Sequence, residues 1–303
     1  MCKPSSPPMR VLLSKQSLSL SKDHGPLDMP SVSLTVAIVV LVLFALEHLV
    51  ARPALENMKD LHPILEIEMN RFVIARHIGV SFVSCVAVSI VGLLGRHHMS
   101  DLLESFFSFG KKNTMVLNRE GFERRLFEFR QEGSLVLLLF LGYQMKNLYD
   151  SYVWDDGPEF IFHHVLAATA AFGGLNPGCS QYYAIFYMGI SEISTGVLVL
   201  LANFDPDLGV QGLEDVLPIT RVIIGLVFVV AFIICRTLLW PFTTYYFVND
   251  VFNAVASDSI LAKQHKKWLY IQVGTCAGLS VLQVLWLGQI FYTVYIEAAK
   301  LLG

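Results

Sequence analysis

Two histidines placed side by side, His163 and His164, are the residues of this chain best suited to do chemistry. They stand in the stretch GYQMKNLYDSYVWDDGPEFIFHHVLAATA, residues 142–170, just after a short acidic turn, with Lys146, Asn147 and Asp150 just before it. Near neutral pH an imidazole can act as general base, nucleophile or metal ligand. A carboxylate such as Asp150, across the turn, could orient it or balance its charge. Adjacent residues on a helix point about 100° apart, so one histidine can face a cavity while the other bonds to a neighbouring helix. The pair has no HxxxH or HxxHH pattern around it, so neither a metal nor any other cofactor is expected there. If the chain is an enzyme, His163, His164 and Asp150 are its candidate catalytic residues.

The elements that must hold these groups are membrane helices. Of 303 residues 54% are hydrophobic and only 16% charged, with a mean hydropathy of +0.55, which is too apolar for an ordinary soluble domain. Windows of about 20 apolar residues, the length needed to cross a bilayer, fall at 31–50, 72–94, 134–149, 160–173, 182–202, 220–240 and 268–292. The fold class expected is therefore all-α, a polytopic transmembrane bundle of about seven helices. Residues 1–30, rich in Ser, Pro and Lys, read as a disordered tail or an organelle transit peptide, and 31–303 as the transmembrane region. Net charge is -3 and the basic residues are scattered, which excludes nucleic acid as a partner. The five cysteines, odd in number and widely spaced, form neither a disulfide framework nor a zinc pattern.

Chain alternation sorts the polar residues by depth. Glu47, His48, Arg76, His77, Asp150, His163 and His164 all fall toward one membrane face, and Glu192 lies near the middle of the fifth segment. An ionisable side chain at mid-membrane costs about 2.5–3.5 kcal/mol on insertion scales, so such groups face the bundle interior in pairs. A polar or lipid-binding network of Glu192, Ser194, Tyr149 and His77 is expected beside the histidines. The plainer reading is set against it for several members. Glu47, His48, Arg76 and Lys146 are near enough to helix ends to snorkel. Lys146 and Asp150, four apart, can form a simple intrahelical pair. Arg221 and Arg236 read as headgroup contacts, and Trp240, Tyr245, Tyr246 and Phe247 as an interfacial aromatic belt.

The loops on one side, counting the N-terminal tail, carry 14 Lys and Arg, and those on the other 4. The positive-inside rule then places the N terminus in the cytosol and the C terminus across the membrane. The stretch 101–131 reads either as an amphipathic helix on the membrane surface, with Phe122, Leu126 and Phe129 inward and Arg119, Arg124, Arg125 and Arg130 toward phosphates, or as a solvated basic loop. Gly274 and Gly278 have the GxxxG spacing that supports helix packing or a homo-oligomer.

GYQMKNLYDSYV followed by EFIFHHVLAATAA resembles the signature of the TLC domain shared by TRAM, Lag-type ceramide synthases and CLN-type proteins. SEIST at 191–195, RTLLWP at 236–241 and ARHIGVSFVSC at 75–85 extend the likeness over roughly 70–295, nearer the members that are not ceramide synthases. The resemblance implies a helix bundle around a lipid-accessible cavity in the endoplasmic reticulum or another endomembrane, with a role in sphingolipid or membrane-lipid homeostasis. In the ceramide synthases the paired histidines are proposed to transfer an acyl group from acyl-CoA to a long-chain base, and His163 and His164 match those positions. Where those enzymes carry a His-Asp-x-x-Asp arrangement, this chain has Gly189, Ile190, Ser191, Glu192 and Ile193, with a single acid. The acidic turn with Asp155, Asp156 and Glu159 has no Lys or Arg to hold CoA phosphates.

Three readings follow. The first is a membrane-lipid binding protein of lipid homeostasis with its cavity lined by His163, His164, Asp150 and Glu192. The second is an N-acyltransferase of the ceramide synthase type using acyl-CoA and a sphingoid base. The third is an endoplasmic reticulum cargo receptor.

Overall fold

The computed structural model describes residues 28–107, 119–257 and 259–302; most of the expected tail, 1–27, lies outside them. Long helices dominate: α1 Met29–Leu61 and α2 Glu68–Phe107, α3 Arg119–Phe127, α4 Gln131–Val153, α5 Pro158–Leu175, α6 Gln181–Ala202 and α7 Pro218–Ala256, and α8 Ile260–Leu302. Among the described residues there is no strand, and the fold is all-α as expected. Starts are set locally. Proline fills the first turn of α1, α5 and α7, where its missing N–H costs nothing. Gly157, at φ 114°, closes the turn before α5 in a region that L side chains rarely enter.

Successive helices run back and forth between two ends. At the basic-loop end the Ser180 amide donates to the Leu126 carbonyl (2.6 Å), and Arg125 of α3 pairs with Asp250 of α7. At the acidic-turn end Asn70 and Gln211 exchange hydrogen bonds of 3.1 and 2.8 Å, and Arg76 pairs with Asp156. Five helices, α1, α2, α6, α7 and α8, are long and apolar enough to cross a membrane. The 23 residues of α4 and 18 of α5 carry the polar groups instead. The arrangement is compatible with seven crossings. Exposed Leu34 and Leu41 on α1, Ile219 and Leu226 on α7, and Val281 and Val284 on α8 supply the apolar outer surface that lipid requires.

Small residues let the polar helices approach closely. A Cβ added at Gly92 would lie 2.8 Å from the Cα of Gly189, so α2 and α6 touch at their backbones. One added at Gly278 would lie 2.8 Å from Leu166 of α5, whereas Gly274 has nothing within 4 Å. The second glycine of the GxxxG spacing is thus used for packing within the chain.

The stretch around α3 is a helix and not a solvated loop, but two of its arginines do not face outward as expected. Phe122 and Leu126 are buried, as its periodicity suggested, but so are Arg125 and Arg130. Arg125 grips Asp250 through two bonds of 2.6 and 2.8 Å, and the Tyr183 hydroxyl donates to the same carboxylate. Arg124 remains exposed and pairs with Glu128. A fork of guanidinium donors met by a buried carboxylate 125 residues later is a tertiary contact that helical periodicity cannot reveal. Residues 108–118 lie outside the described residues.

Candidate functional site

Between α4, α5, α6, α7 and α8 runs a narrow cavity of about 50 Å³, part of it open to the surroundings. Its lining on α5 extends from His163 to Gly174, which at 1.5 Å per residue is about 16 Å along the helix axis. The walls are apolar and aromatic, with Phe140, Ala167, Tyr187, Met188 and Leu279 prominent. One end holds Glu192, Arg236 and His163; the other, toward the basic loop, holds Cys179, Ser180 and Gln272. A mostly apolar lining with a few convergent polar groups is the usual composition of a small-molecule site, although this passage is narrower than such sites when filled.

Arg236 is the main correction to the sequence reading. Expected as a headgroup contact at the end of a span, it is buried and gives 2.8 Å to Glu192 Oε1, 2.9 Å to the Thr195 hydroxyl and, through Nε, 3.1 Å to the Ser194 hydroxyl. The apolar window ends at Trp240, which would put Arg236 near the end of its span. Instead α7 continues to Ala256, with Arg236 18 residues in from Pro218 (236 − 218). Pro241 falls just behind a π-helical turn, Ile233–Leu239, where the hydrogen-bond ladder is already irregular. For the same reason Trp240 and Phe247 are not belt residues. Both line the cavity, and the Trp240 indole donates to Ser280 (3.0 Å). Tyr245 is exposed.

Among the histidines, adjacency has the effect that helix geometry requires. His163 lines the cavity; its Nδ1 is buried without a hydrogen-bond partner, and its ring sits edge-on to Trp286. His164 points elsewhere and bonds Gln144 of α4 through Nδ1 (2.6 Å). The histidine bordering the cavity is therefore the one left with an unused nitrogen.

Asp150 belongs to a separate network at the acidic-turn end. Lys146 is fully buried and bonds Glu47 at 2.6 Å and both oxygens of Asp150 at 2.7 and 2.6 Å. The intrahelical pair is present, and Glu47 of α1 extends it between helices. Lys146 does not snorkel, and Glu47 is buried as well. Arg52 completes Glu47, and Arg76 reaches Asp150 (3.9 Å) and pairs with Asp156. Three acids thus face three bases, and the Asp156 carboxylate of the acidic turn is already paired.

The remaining expected members are placed as follows. Ser194 joins Glu192 through Arg236. His77, near the start of α2, has a buried Nδ1 with no hydrogen-bond partner and does not line the cavity. Tyr149 is 53% exposed and packs edge-on against Phe44, outside both groups. The sequence reading missed Gln144, the role of Arg236, and the group His97, His98 and Glu132 at the basic-loop end. Glu47, Arg76, His77 and Arg236 all sit in π-helical turns, and Glu192 follows one. Such turns concentrate at functional sites, but no side-chain pattern announces them.

A family model described as TLC domain matches residues 73–292 of the chain. No curated protein and no solved structure matches significantly.

Proposed function

The chain belongs to the TLC-domain family, and from that premise we propose that it acts in membrane-lipid homeostasis by holding a membrane lipid in the cavity that runs from Ser180 to His163. The observation that carries this is the cavity itself, an apolar passage along the helix axes that ends on a buried Glu192–Arg236 pair and the unused nitrogen of His163. The apolar length suits an acyl or long-chain tail, and the polar end suits a headgroup that can exchange hydrogen bonds with carboxylate, guanidinium and imidazole. Keeping an ion pair inside a membrane bundle rarely stabilises it over apolar packing, which supports a role in recognition. Extraction in mild detergent followed by mass spectrometry of bound lipid tests the proposal. Wild type should retain lipid, and a variant with the cavity filled by Ala170→Trp should not.

A second reading, acyl transfer of the ceramide synthase type, is favoured by His163 alone. As general base it would take a proton from an amine while the nitrogen bonds to a thioester carbonyl carbon and the thiolate leaves. Product from labelled acyl-CoA and sphingoid base, abolished by His163→Ala, would favour this reading. Absence of turnover across chain lengths would leave lipid binding alone. We place the protein in the endoplasmic reticulum or a related endomembrane with its basic loop in the cytosol; protease protection of tagged loops checks that orientation.

A further inference from the structure

The cavity leaves unused a second histidine pair, at the far end of α2. His97 and His98 lie in a 3-10 turn, Gly95–Met99, with ring centroids 4.0 Å apart. Glu132, from the first turn of α4, reaches them across the helix pair. One ligand atom from each of the three residues falls within 4.8 Å of the others, and His98 Nε2 lies 3.0 Å from Glu132 Oε2. The packing is close here: a Cβ added at Gly95 would stand 3.0 Å from the Glu132 Cβ, so a larger residue would push α4 back by a few tenths of an ångström.

From this geometry we infer a binding site for a divalent transition metal of the zinc class, held by His97, His98 and Glu132. Two imidazoles and a carboxylate form a donor set that zinc takes in tetrahedral sites, at about 2.0–2.2 Å per bond, with a fourth position left for water. Ligands at such distances stand about 3.4 Å from one another, so only small movements are needed, and His97 is exposed and free to make them. Its Nδ1 meets the Leu94 carbonyl at 2.9 Å, which fixes the proton there and leaves Nε2 as the ligating atom. A backbone carbonyl behind a metal-binding histidine is a common orienting contact.

The opposing group is Arg130, whose Nη1 lies 2.8 Å from His98 Nδ1. With Arg130 donating there, His98 carries its proton on Nε2 and gives it to Glu132. Metal binding through Nε2 requires the neutral ring to carry its one proton on Nδ1 instead, so the proton moves across the ring and the contact with Arg130 is lost. The arginine already has a second acceptor in Glu128 at 2.8 Å. Two further charged side chains lie beside the pair: Arg96, whose Nη1 is turned to the Leu93 carbonyl (2.7 Å), and Glu104, which lines the same surface cleft as His97. Binding of the ion therefore competes with Arg130 for His98.

Full-length protein purified in detergent without a polyhistidine tag, and titrated with Zn²⁺ against a chromophoric chelator, tests the site. About one equivalent per chain is expected, together with a four-coordinate Co²⁺ absorption band when cobalt is substituted. His97→Gln and Glu132→Gln should each weaken binding at least about tenfold. Arg130→Gln, by removing the competing cation, should tighten it. No stoichiometric binding, binding unchanged in both ligand variants, or weaker binding in the arginine variant would each overturn the assignment. His97 is exposed, so His97→Gln leaves the fold intact and keeps the outcome readable.

Discussion

Replacing Lys146 with methionine should destabilise the protein strongly, and the structure says by how much. The ammonium group is fully buried and is shared between Glu47 and Asp150 through three short bonds. Methionine nearly matches the lysine stem but leaves two buried carboxylates short of a partner. Breaking a buried pair in this way costs about 3–5 kcal/mol. The lower end applies, because Glu47 keeps Arg52 and Asp150 keeps Arg76 nearby. At about 2 °C per kcal/mol for a chain of this size, Tm should fall by roughly 6 °C or more. Adding Asp150→Asn removes the second stranded charge while leaving the Glu47–Arg52 and Arg76–Asp156 pairs intact. That double variant should recover at least half of the loss. Thermal unfolding in detergent, followed by tryptophan fluorescence, measures both. A drop within about 2 °C for the single variant is the behaviour of a snorkelling lysine and would refute the reasoning, as would a double variant no better than the single.

Other outcomes follow from the same contacts. Gly92→Ala should cost about 1–3 kcal/mol in unfolding measurements, because the new methyl meets backbone atoms of Gly189 and Ile190 that no side-chain rotation can clear. Asp250→Asn weakens the grip on Arg125, so amide exchange across 122–126 should speed up while exchange in α5 stays unchanged. Arg236→Met combined with Glu192→Gln removes the cavity's ion pair without stranding a charge. It should leave Tm within a few degrees of wild type and reduce the lipid that co-purifies; unchanged lipid would count against a headgroup role for the pair.

The fold class was legible in the sequence, as were His163 and Glu192 among the residues that border the cavity, for identifiable reasons. Runs of apolar residues define membrane helices through a local cost, that of exposing polar groups to lipid, so the all-α bundle was legible. Adjacency on a helix implied that His163 and His164 must diverge, and they do. Depth went wrong where the apolar window stopped short of the helix. The window ending at Trp240 made Arg236 look superficial, whereas α7 continues to Ala256 and buries it opposite Glu192. Lys146 looked able to snorkel because its partner Glu47 lies 99 residues away. The sequence also could not bring Glu132 to His98, which depends on how tightly α2 and α4 pack at Gly95.

The most direct test of a lipid-holding cavity is photocrosslinking of the protein in native membranes with a diazirine-bearing lipid, followed by peptide mapping. Labelled peptides should include residues that line the passage, such as Ala167, Met188 and Leu279, and that labelling should vanish in Ala170→Trp. Labelling confined to the outer faces of α1, α7 and α8, and unchanged by filling the cavity, would contradict the account.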